Sequence, residues 1–70
     1  MAIPLTVMQN AYRQCKAVKN NNMRMDVHHM DVYHRFSVGS SVVTFHLGMS
    51  TITMTIYIGD TWTEYTADRS

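Results

Sequence analysis

The sequence predicts an α+β domain, one N-terminal amphipathic helix packed on a four-stranded antiparallel β-meander in the order α-β-β-β-β. Three observations predict it. All three glycines, Gly39, Gly48 and Gly59, sit at the joints of one alternating apolar and polar tract, each followed by a residue that can complete a two-residue turn. Two of those turns, taken independently, assign the same residues to one apolar face. Ahead of the tract lies an apolar stripe at helical spacing, which supplies a cover for that face.

The helix is expected over about 7–19. Met8, Ala11, Tyr12, Cys15 and Val18 recur at intervals of three and four, so they share one side of a helix, while Asn10, Arg13, Gln14 and Lys16 make a solvated face. Thr6 and Gln9 stand in capping-box relation, which marks a start near Val7. Asn20, Asn21 and Asn22 mark the stop, because asparagine tolerates the left-handed conformation that ends helices. After the cap, in the connector expected at 20–30, the stretch from Met23 to Asp31 has no clear period. Met23, Val27 and Met30 fit a short helix, whereas Met23, Met25 and Val27 fit an early strand, so the segment is read as a connector that can contribute to the first strand.

Strands are expected at about 31–38, 41–47, 51–58 and 61–67. With Gly39-Ser40 as the first turn, Val38 faces Ser41, Phe36 faces Val43, His34 faces Phe45 and Val32 faces Leu47, a mostly apolar side. With Gly48-Met49 as the second, Phe45 faces Ile52 and Val43 faces Met54, while His46 meets Thr51 and Thr44 meets Thr53 on a polar side. With Gly59-Asp60 as the third, Ile56 faces Thr63 and Met54 faces Tyr65, and Trp62 falls on the wet side opposite Tyr57. A three-residue third turn would move Trp62 inward but would bring the Glu64 carboxylate with it, which is costly.

At 70 residues the chain makes one domain and buries only roughly 60% of its unfolded surface, which leaves little stability margin. A homodimer through an edge strand, 31–38 or 61–67, is a reasonable expectation, because an uncovered edge is a template for another strand. A lone cysteine, Cys15, excludes an internal disulfide framework. The start MAIPLTV lacks the basic and long apolar regions of a signal peptide, and no apolar run reaches the length of a bilayer span, so a cytoplasmic protein without a membrane role is expected. The formal net charge of +1 fits neither the strongly acidic surface of a DNA mimic nor the strongly basic one of a duplex binder. Arg13, Lys16, Lys19 and Arg24 do cluster in the first third, as on a solvated helix face.

No catalytic motif, nucleotide loop or metal signature stands in these residues. The expected partner-binding residues are Tyr57, Trp62, Tyr33, Arg35 and His46, which the register places together on the outer sheet face. Tyr, Trp and Arg are the side chains most enriched at binding hot spots, and two large aromatics facing water suggest a partner. The chain is thus expected to be a small protein-interaction module that binds and modulates or blocks a larger, unidentified protein. Small motif-free domains are often accessory proteins of phages or other mobile elements, which is an expectation from base rates and not from residues. The alternative is single-stranded nucleic acid stacked on Tyr33, Tyr57 and Trp62 beside Arg35, although the field is weak. Met23, Met25, His28, His29, Met30 and His34 are soft ligand types, but their spacing completes no metal set and no cofactor is expected. His34 reads instead as a hydrogen-bonded core histidine. Enzymatic activity is not expected: Cys15 lies on the apolar helix stripe, and His46 with its threonine neighbours and Glu64 would sit on a flat, open surface.

Overall fold

Gly39 and Gly59 adopt φ values of +59° and +60°, the left-handed backbone that tight hairpin turns demand. They fix the two turns whose registers the alternation anticipates. A computed structural model describes residues 1–18, 22–28 and 31–69. It comprises α1 (Leu5–Ala17), β1 (Asn22–His28), β2 (Asp31–Val38), β3 (Ser41–Leu47), β4 (Thr51–Ile58) and β5 (Thr61–Asp68). All strand pairs are antiparallel and the order across the sheet is β1-β2-β3-β4-β5, so the α+β class holds with five strands rather than four.

The additional strand comes from the connector. Met23, Met25 and Val27 fit helical and extended spacing alike, and what decides between them is tertiary: β2 would otherwise expose a row of unpaired amides and carbonyls, and Asn22–His28 pairs along it from Asn22↔Ser37 to His28↔Asp31. Consequently 31–38 is an interior strand and cannot be a dimer edge. The edges are β1 and β5, and β5 is partly covered, since Ile3 N–H donates to the Thr66 carbonyl at 2.9 Å and Thr66 N–H to the Met1 carbonyl at 2.8 Å.

The first and third hairpins have the anticipated pairing, including Phe36↔Val43 and Tyr57↔Trp62. The second differs by two residues. Phe45 pairs with Met54 and Leu47 with Ile52, so Met49-Ser50 forms the turn and Gly48, just past β3, donates its amide to the Thr51 carbonyl at 2.9 Å. A side chain at Gly48 would stand 3.3 Å from that carbonyl oxygen, so glycine here serves close approach, not a left-handed turn. The shifted register puts Leu47 opposite Ile52, where the expected one would have wasted it against Ser50. Because the shift is even, both faces keep their residues; His46 now pairs with Thr53 and Thr44 with Thr55.

The helix also starts earlier than the capping box implies. Pro4 is the N-cap, with φ −61° and ψ 148° and no side-chain cap, and its carbonyl accepts Val7 N–H at 3.1 Å and Met8 N–H at 3.2 Å. Proline carries its fixed φ into a helix entry at no loss of a bond, and Ile3 and Leu5 pack on the core, which draws the start forward. Thr6 and Gln9 therefore lie within the helix. At the other end Val18 is already extended and exposed, off the apolar stripe. Asn22 belongs to β1, and the expected cap at Asn20 and Asn21 lies outside the described residues.

Helix and inner sheet face enclose a core of Met8, Phe36, Phe45, Ile52, Met54 and Ala67. Tyr12 projects from α1 edge-on to Phe36 and Phe45, with centroids 5.8 and 5.2 Å away, and Phe36 meets Phe45 in the same T-shaped manner. Such edge-to-face pairs add about 0.5–1.5 kcal/mol each to the burial of the rings. On β1, Met25 and Val27 remain 57% and 62% exposed.

Candidate partner-binding face

The pleat assembles the outer face in rows that run across the sheet. One row reads Ser37, Val42, Tyr57, Trp62; the next Arg24, Arg35, Thr44, Thr55, Glu64; the third Tyr33, His46, Thr53, Thr66. All five residues singled out for partner binding therefore share one face, and they fall into two groups.

The first group is aromatic and wet. Tyr57 and Trp62 are directly opposed across β4 and β5 and remain 46% and 62% exposed. Burying such a pair releases a large apolar area, at roughly 25 cal/mol per Å². Beside it, Arg35, Val42, Thr44 and Tyr57 line a shallow depression of about 360 Å³. Its lining therefore mixes an aliphatic and an aromatic side chain with one hydroxyl and one cation.

The second group is stacked and partly closed. The rings of Tyr33 and His46 lie 4.6 Å apart and are inclined by 8°. Asp31, which sequence reasoning did not include, sits with Oδ1 3.3 Å from His46 Nε2. That nitrogen is sealed from solvent and makes no hydrogen bond to the carboxylate. The signal for Asp31 was available: it precedes Tyr33 by two positions and so shares its face. Glu64 is not part of this group, since it pairs with Thr55 in another row.

The inner-face histidine has a separate fate. His34 Nδ1 lies 2.6 Å from the Tyr12 hydroxyl, so it is a partly buried, hydrogen-bonded histidine on the core face, as its register implies. Partial burial pushes the Tyr12 phenol upward from its ordinary pKa, and burial does the same to the Cys15 thiol. A raised thiol pKa lowers the thiolate fraction and hence nucleophilicity. Among the described residues no three of His, Cys, Asp and Glu cluster as metal ligands; His29 and Met30 lie outside them. The basic cluster is divided by the fold: Arg13 and Lys16 are on the helix, Arg24 is on β1, and Lys19 lies outside the described residues.

No family model matches the chain, and comparisons with curated proteins and with solved structures return no match. What the face can do is therefore read from its own chemistry: an aromatic anchor, an adjacent shallow depression and a single lining arginine, flanked by threonines that offer hydroxyls. Among the described residues no helix is long and apolar enough to cross a membrane.

Proposed function

We propose that this chain is a small protein-interaction module that docks its outer sheet face onto a larger protein and thereby blocks or modulates it. The observation that carries the reading is the Tyr57–Trp62 pair, two large aromatics in direct cross-strand register and roughly half exposed. Aromatic anchors next to a depression that an arginine helps line match the composition of interface centres, where Tyr, Trp and Arg dominate the energetics. The nucleic-acid alternative has weaker support, because Glu64 follows Trp62 by two positions on the same face and Asp31 lies against His46, so carboxylates interrupt the track a phosphate backbone would follow.

The test is affinity capture with the wild-type chain and with a Tyr57→Ala/Trp62→Ala variant whose fold is checked by circular dichroism. A partner protein retained by the wild type should be lost by the variant, with an expected penalty above about 2 kcal/mol. Retention of the same partner by the folded variant would refute the reading, and tight, salt-sensitive binding of random single strands by the wild type would favour the alternative.

A further inference from the structure

Among the described residues β1 is an open edge, and its sequence complements itself. A two-residue turn closes on a hydrogen-bonded pair, here Val38 and Ser41, and in an antiparallel ladder such pairs alternate. On β2, therefore, residues 38, 36, 34 and 32 direct their amides and carbonyls to β3, and residues 37, 35, 33 and 31 direct theirs to β1. The β1 partners of the latter are Asn22, Arg24, Asp26 and His28. Met23, Met25 and Val27 consequently aim their backbone groups at the open side, where no described strand pairs with β1.

We infer that two copies of this chain join β1 to β1, antiparallel, about a two-fold axis through Met25, into one continuous ten-stranded sheet. Pleat and ladder admit only registers that set one residue opposite itself, since any other mixes the two faces. Centring on Arg24 or Asp26 would oppose like charges, and centring on Met23 or Val27 would leave most of the strand unpaired. The Met25 register uses the whole strand. It sets Arg24 opposite Asp26 of the second copy and Asp26 opposite its Arg24, with Met25 against Met25 and Met23 against Val27. Charge complementarity thus selects both the occupant and the register. One further fact agrees with it: Met25 and Val27, whose backbone groups face the open side, are more than half exposed. A single strand pair is small beside the roughly 1,200–2,000 Å² of ordinary stable interfaces, so the dimer is weak and concentration-dependent.

Sedimentation equilibrium from micromolar to millimolar chain tests it with two charge variants, Arg24→Asp and Asp26→Arg. Each alone converts both cross-dimer pairs to like charges and should weaken association about tenfold or more, whereas an equimolar mixture of the two restores the opposite pairs and should recover it. Met25→Pro removes an amide that faces the open side, which an edge strand tolerates, so this variant should stay folded by circular dichroism and fail to dimerise. A wild-type chain that remains monomeric at millimolar concentration, a mixture that associates no better than its components, or a Met25→Pro chain that dimerises like wild type would each overturn the inference. Tyr57 and Trp62 are on the far side of the sheet from β1, so Trp62→Ala should leave dimerisation intact, and the fate of the docking face is read separately.

Discussion

Tyr12 ties the helix to the sheet through two kinds of contact at once, ring edges on Phe36 and Phe45 and a hydroxyl on His34. Tyr12→Phe keeps the rings and leaves the imidazole nitrogen without its partner, so unfolding by urea should show a loss of about 1–2 kcal/mol. The same residue gives stability an alkaline limit. Tyr12 and Cys15 both hold their protons more tightly in the folded chain than at their ordinary values of 10.0 and 9.0. The unfolded chain therefore ionises first, and the contribution of these groups is complete below those values and is lost as pH rises through the raised ones. Urea midpoints should fall above about pH 9 and fall less in Tyr12→Phe; a midpoint independent of pH up to 11 would contradict this.

Between elements, α1 is held by one deep side chain and a half-buried flank. Met8 is 1% exposed and seated among Phe45 and Ile52, whereas Val7 is half exposed. Met8→Ala should cost about 2–4 kcal/mol, a large share of the stability of a chain this short, while Val7→Ala should change the urea midpoint little. Equal effects of the two would mean that the helix packs by another face. How much of this was legible follows element by element. The pleat phase of β2 to β5 was readable because side-chain alternation is strict and two turns cross-check it, and with it came the sharing of one face by Tyr33, Arg35, His46, Tyr57 and Trp62. β1 was not readable, because three apolar residues spaced by two also fit a helix and only the waiting edge of β2 decides between them. The second turn was misplaced for a similar reason: glycine marks a turn or a tight approach equally well, and the opposition of Leu47 and Ile52 settles which. Asp31 went unnoticed because its meeting with His46 depends on the far end of a hairpin.

For the molecule as a whole, the sheet divides the labour. Its inner face is spent on the core under α1, its β1 edge is the one proposed to pair with a second copy, and its outer face is the one proposed to dock on a partner. A two-fold axis normal to the sheet would set two Tyr57–Trp62 pairs on the same side, on the order of 40 Å apart for eight strand spacings, so a dimer would engage a repeated target with two anchors. The docking face requires that the indole of Trp62 point to water. The chain has a single tryptophan, so its fluorescence reports that position alone. Native emission should be water-like and fully quenched by iodide, with little change on unfolding in guanidinium; a blue-shifted, protected emission that moves to the red only on unfolding would place Trp62 in the core and contradict the outer face described above.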